Sequence, residues 1–432
     1  MFAALDRRVR RLVWYDHAPH LPALPCASVP PSERVHALGR RCVTEATHGN
    51  LVRLGLVLLA IAGPRLTAGD RALLREVGEH ANFSDEACTA LAASRPGDPQ
   101  LAVFPLARAT EGWARVSAVE YLDGARHPHI KEWLIRDACT GDVLDSYFCL
   151  VAARTGDLAG VLARERLDEP TLKGATRLIH ALTDVNGPGA SLDAYEDAAP
   201  ALRHYLRHLT ATPVTPQDLL ALTGIRDWFA LCEPSEGELA RAGAEIAAVI
   251  DRPESRRTVI EALADDDDAH AHQAPWAARA LGLPYRKTVL RRIGATPLDS
   301  TAWYLLTEDC PTEEIADVVA AAEQLLPLDE LLTDPEPDIF FGSEYAADRI
   351  LDLIVSRLGA HPGHGAELLR TALATRCERN RRMAAYAVAD WPRAAVPVEL
   401  REALVRAAAR EPVDDIREAM CEVLSGTGAG AD

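Results

Sequence analysis

Lysine is nearly missing from this chain. Of its 432 residues only Lys131, Lys173 and Lys287 are lysines, and arginine makes up the rest of the 46 basic side chains. Aromatic residues are scarce too, at 5%. The nine cysteines form no CxxC pair and no Cys/His spacing suited to zinc, so each is expected to be a small buried hydrophobe. The longest apolar run, Leu54 to Ala62, falls well short of the ~20 residues that cross a bilayer. The N-terminus has arginines but no apolar h-region, so no signal peptide is expected and a cytoplasmic location is. There is no GxxxxGK[ST] loop, no GxGxxG after a strand, no GxSxG elbow and no HExxH. The expectation is therefore no catalytic set, no cofactor and no metal.

What remains is acidic and apolar. The chain has 64 Asp and Glu against those 46 basic residues, a formal charge of −18, and is 48% hydrophobic. That apolar fraction excludes charge-driven disorder. The acidic balance disfavours broad electrostatic attachment to nucleic acid or anionic membranes, which needs clustered cations. Arginine in place of lysine, with abundant alanine, reads as the usage of a high-GC genome.

Nearly every segment has helix periodicity and almost none alternates like a strand. The pattern predicts on the order of twenty helices of three to four turns, joined by short turns of Gly, Pro, Asp and Asn. Asp70 and Asp85 sit in first turns, where a carboxylate suits the positive dipole end. Single helices are expected over 143–154, 158–166 and 192–209.

The last hundred residues repeat. Arg382-Met-Ala384 with Val388 recurs 35 positions on as Arg417-Glu-Ala419 with Val423, and Glu367-Leu-Leu369 matches Glu402-Ala-Leu404 at the same offset. Second helices begin with a polar residue and arginine, Asn380-Arg381-Arg382 and Asp414-Asp-Ile-Arg417, and continue in small aliphatic residues. This resembles HEAT repeats, whose second helix often starts Asp-x-x-x-Arg ahead of an Ala-rich face. The resemblance implies ladders between neighbouring repeats, with Asp414 and Arg417 as members and Arg381 or Arg382 as counterpart. The spacing from Asp414 is one residue short of that pattern.

The expected fold is all-α, an α-solenoid of stacked antiparallel helix pairs of HEAT/armadillo type. Its plan is a basic helix with a Pro-rich segment (1–30), a helical repeat array (31–326) and an irregular acidic Pro-containing loop (327–342). C-terminal HEAT-like repeats (343–425) and a flexible tail (426–432) follow.

Two clusters invite a site. Asp265 to Asp268 with His270 and His272 offers hard-cation ligands. Asp265-x-Asp267-Asp268 is also similar to the acid motif of class II terpene cyclases. Scarce aromatics oppose a carbocation-steering cavity, and a solvated turn is the preferred reading. The other cluster lies within 111–154, where Trp113, Tyr121, Trp133, Tyr147 and Phe148 gather. Helix spacing puts His129, Trp133 and Arg136 on one stripe, and with Trp113 these are the expected binding residues, suited to a peptide groove or a phosphate-binding concavity.

The function expected is a non-catalytic interaction or scaffold protein presenting a concave surface to a protein or peptide, basic by complementarity to the net charge. One alternative is similar in architecture to the helical-repeat alkylpurine DNA glycosylases, with Arg376, Arg379, Arg381 and Arg382, or Arg291 and Arg292, supplying local positive charge. Another is a helical enzyme of unassigned chemistry sited in 111–154 or at the Asp tetrad.

Overall fold

Short polar residues ahead of the apolar runs start the helices. In the computed structural model Ser32 accepts the N–H of Val35, Asp98 that of Leu101, and Asp299 that of Ala302. Each satisfies one of the N–H groups a helix start leaves open. Two starts are Thr-x-x-Asp boxes. Thr67 and Asp70 bond reciprocally, and Thr215 and Asp218 do the same.

The structure describes residues 32–425 apart from 185, 186, 188, 190, 212, 233–237, 267, 268 and 336–344. The expected basic helix and Pro-rich segment, the tail, and much of the 327–342 loop lie outside these residues. Every regular element described is helical, with no strand, and the 24 α-helices pack against one another. Among the described residues no helix is long and apolar enough to cross a membrane.

The chain divides into two compact units, Met1–Thr258 and Val259–Asp432. In chain order the helices begin with α1 (Glu33–Glu45), α2 (Gly49–Ala62), α3 (Ala68–Gly78), α4 (Ser84–Ser94), α5 (Pro99–Ala109) and α6 (Gly112–Glu120). Next come α7 (Pro128–Arg136), α8 (Cys149–Gly156), α9 (Leu158–Leu162), α10 (Glu169–Leu182), α11 (Ala198–Ala211), α12 (Pro216–Cys232) and α13 (Glu238–Ile250). The unit boundary falls inside α14 (Pro253–Ala264). The second unit continues with α15 (Ala274–Ala280), α16 (Arg286–Ile293), α17 (Ser300–Thr307), α18 (Ile315–Leu325) and α19 (Leu328–Leu331). It ends with α20 (Ala346–Val355), α21 (Ala366–Ala372), α22 (Glu378–Ala389), α23 (Val398–Arg410) and α24 (Asp414–Ser425).

Packing follows sequence in both units: a helix touches its neighbour and often the next but one. In the first unit α2, α4, α6, α8, α10 and α12 form one row in which each contacts the next. In the second, α17, α20, α22 and α24 form such a row, and α18, α21 and α23 form another. Leucine, isoleucine, valine and alanine fill these contacts, with Trp303, Tyr205 and Phe148 the largest rings buried completely.

Buried polar groups tie neighbours together. Asp70 has no exposed surface. Its carboxylate receives the Thr67 hydroxyl (2.7 Å), Arg40 (2.6 Å) and the His36 ring (2.9 Å). Burial pushes the carboxyl up, but these hydrogen bonds outweigh it and hold Asp70 well below the usual carboxylate range. Asp218 is its counterpart, taking the Thr176 hydroxyl from α10 at 3.0 Å and that of Tyr205 from α11 at 3.4 Å.

Three expected helices are shorter than their periodicity suggests. Over 143–154, residues Val143–Tyr147 form a 3-10 turn and α8 begins only at Cys149. The Asp142 carboxylate takes the Leu144 N–H and the Ser146 hydroxyl bonds the Val143 carbonyl. Such side chains compete with the α-helical ladder. Over 158–166, α9 stops at Leu162 because Arg207 donates to the carbonyls of Leu162, Ala163 and Arg164. Over 192–209 a short 3-10 turn precedes α11. Of the seven cysteines whose side chains are described, six are buried, as expected, and Cys421 is exposed.

Candidate functional site: a basic groove on α7 to α10

Of the four expected binding residues, Arg136 lines the groove on α7 to α10, and Trp113, His129 and Trp133 are not among its lining residues. Trp133 turns into the core, 8% exposed, with its ring edge-on to Phe104 at 5.6 Å. Trp113 on α6 is 49% exposed and meets Tyr147 at 4.5 Å. His129 is exposed, its ring 5.4 Å from that of His127. Arg136 is half-buried and lines a groove of about 530 Å³.

The groove is assembled by close helix packing. Pro128 opens α7 at a position where its missing N–H costs nothing. Two glycines bring the walls together. A Cβ at Gly156 would lie 2.6 Å from Ile135 Cδ1, and one at Gly174 would lie 2.3 Å from the Ile135 carbonyl oxygen and 2.5 Å from that of Arg136. α10 thus seats directly on the C-terminal turn of α7, where Arg177 also donates to the Arg136 carbonyl at 2.9 Å. Between α8 and α9, Asp157 adopts the left-handed conformation, φ 61°, which aspartate tolerates better than most residues. Its carboxylate caps α9 through the Gly160 N–H at 3.2 Å.

Charge around the groove is uneven. Arg136 bonds both Glu132 (3.2 Å) and Asp168 (3.1 Å). Asp168 in turn caps α10 at the Thr171 N–H, 2.9 Å away. The hydrogen bonds from Thr171, with Arg136 beside them, hold Asp168 below the ordinary carboxylate range. The groove's three carboxylates are therefore occupied. Arg126, Lys131, Arg164 and Arg166 line the same groove, and among the described residues none of their side chains has an acidic or hydrogen-bonding partner. Ile135, Val161 and Leu167 supply apolar surface between them.

A smaller cleft of about 180 Å³ lies beside Glu111, Arg115, Asp142 and Asp145. Asp145 is 3% exposed and accepts the N–H groups of Gly141 (2.7 Å) and Thr140 (2.8 Å). Burial nevertheless pushes its carboxyl up to about 6. The Arg115 guanidinium donates to the carbonyls of Thr110 and Ala138. Burial raises the Cys139 thiol well above its usual range and the Cys149 thiol to about 12, so neither is an activated nucleophile.

The ladder residues are placed differently from one another. Arg381 is buried and donates to both oxygens of Glu411, at 2.7 and 3.0 Å, and to the carbonyls of Thr375 and Arg376. Arg382 reaches across to Asp415 on α24 at 2.7 Å and back to Glu378 at 2.9 Å. Asp414 and Arg417 bond one another within α24. On the other side of α22, Arg376 meets Asp348 at 3.2 Å and Arg379 meets Asp352 at 2.7 Å, both on α20. Arg291 and Arg292 share Asp266 of the acidic tetrad, at 2.8 and 2.6 Å. Every arginine on which a nucleic-acid reading leans thus meets a carboxylate. Asp267 and Asp268 lie outside the described residues, and among those described no three His, Cys, Asp or Glu side chains gather as metal ligands.

The four groove cations and Asp145 escaped sequence reasoning. The available signal was that Lys131 is one of three lysines; Arg164 and Arg166 were hidden because a helix was expected to run through 166, whereas it stops at Leu162. No protein-family model matches the chain, and no curated protein is significantly similar to it.

Proposed function

We propose that this chain is a non-catalytic interaction protein, a HEAT-like solenoid of helix pairs whose partner is a protein or peptide segment seated in the α7–α10 groove. The row-wise packing of alternate helices and the arginine–carboxylate links between successive helices of one row support the solenoid reading. One observation carries the binding reading: four cations without partners among the described residues surround an apolar floor in a protein of net charge −18. Net charge alone favours a basic partner. The local charge favours an acidic one, and a ligand responds to the field at its own site rather than to the total.

The test is a genetically encoded degenerate peptide library panned on the full chain. Acidic segments with apolar neighbours should be enriched, and Arg126→Glu with Arg164→Glu should abolish the enrichment. If nothing is enriched, or the variant retains the same peptides, the reading is wrong.

A further inference from the structure

The charge accounting of the groove leaves a specific vacancy. Arg136 is held by Glu132 and Asp168, and Asp157 is committed to the start of α9. The first turn of α10 is capped by Asp168, so the helix end contributes no open N–H at Thr171. Attraction must come from Arg126, Lys131, Arg164 and Arg166, which reach the groove from the loop before α7, from α7 itself and from the segment between α9 and α10.

We propose that these four cations capture the phosphoryl group of a phosphorylated peptide segment, an inference that rests on the reading of the chain as a peptide-binding protein. A phosphoryl ester at neutral pH carries close to two negative charges on three acceptor oxygens. That density matches several cations converging on one groove better than a single carboxylate does, and the arginine fork suits its geometry. The volume, about 530 Å³, is in the usual range of ligand pockets and leaves room for flanking side chains against Ile135, Val161 and Leu167. Among the described residues no aromatic ring lines the groove. A nucleobase would find no stacking platform there, which favours a peptide over a nucleotide as the carrier.

The full chain is titrated with inorganic pyrophosphate while its melting temperature is followed, beside Arg126→Gln/Arg164→Gln and the exposed control Arg95→Gln outside the groove. A degenerate peptide library centred on phosphoserine is then passed over the immobilised protein, before and after phosphatase treatment. Pyrophosphate should raise the melting temperature of the wild type and the control. Each groove cation removed should weaken its binding about tenfold or more. The phosphorylated library should be retained about tenfold or more above the dephosphorylated one, of which only acidic members should remain bound. An absent pyrophosphate effect, or an equal one in the double variant, overturns the phosphoryl site even if unphosphorylated acidic peptides bind. Equal retention of both libraries overturns the phosphopeptide but keeps the peptide reading. Groove-dependent pyrophosphate binding with neither library retained overturns the peptide reading and keeps the anion site.

Discussion

The groove on α7 to α10 and the row α20–α22–α24 use arginine in opposite ways. In the row the four arginines at the start of α22 each have an acid within reach: Arg376 and Arg379 face α20, Arg382 faces α24, and Arg381 is sealed against Glu411. Around the groove four cations have none, while Asp145 in the neighbouring cleft is buried without an ion pair among the described residues. Charges that link one helix to the next are held by the fold. Charges left over at a concave surface are available to something else. The net charge of −18 is silent on this difference.

The comparison is broken most forcefully at Glu411. Both side chains of the Arg381–Glu411 pair are 1% exposed, so Glu411→Ala leaves a buried guanidinium uncompensated. Equilibrium denaturation should record a loss of about 3–5 kcal/mol. A loss below about 1 kcal/mol would mean that the row does not depend on its pairing.

Asp145 sharpens the contrast from the side of unpaired charge. Its folded pKa, about 6, is raised above its ordinary 3.8, so the folded state holds the proton more tightly than the unfolded chain. The wild type is thus relatively stabilised below about pH 4 and loses that advantage as the pH climbs through 6. Measured against Asp145→Asn, in which the amide oxygen can still accept both N–H groups, wild-type stability should fall by up to about 3 kcal/mol between pH 4 and 7. A difference that is flat with pH contradicts the burial of an unpaired carboxyl.

Gly174→Ala tests what holds the groove open. The added methyl would press on backbone oxygens of α7, which cannot swing aside. A loss of about 1–3 kcal/mol is expected, with pyrophosphate binding weakened beside it. Thr67→Ala removes one cap from the Asp70 box, which shares no residue with the groove, and should cost about 1 kcal/mol with no effect on ligand binding.

Much of the helical framework was legible because caps and turns are local. Asp98 with Pro99 marks α5 and Pro397 marks α23, and both helices end where their apolar period ends. The start of α8 was not legible, since Asp142 and Ser146 compete with an otherwise good helix pattern. The positions of Arg381 and Arg382 at a second-helix start pointed to ladder roles, but Glu411 lies 30 residues away in a turn that no helical period marks. His129, Trp133 and Arg136 share a spacing and not a neighbourhood: Ile130 and Leu134 are buried beside Trp133, which draws it to the inner face of α7. The groove cations come from stretches more than thirty residues apart. What unites them is the close seating of Gly156 and Gly174 on α7, visible only once the helices are packed.

The central claim is that the groove cations serve a ligand and not the fold. The direct measurement is the denaturation free energy of the full chain with Arg126, Lys131, Arg164 and Arg166 all changed to glutamine. Surface side chains without partners contribute little, and neutralising like charges around one groove relieves repulsion. The variant should match the wild type within about 1 kcal/mol, or exceed it. A loss of about 3 kcal/mol or more, the size expected for the paired arginine of the α22 row, would contradict the account.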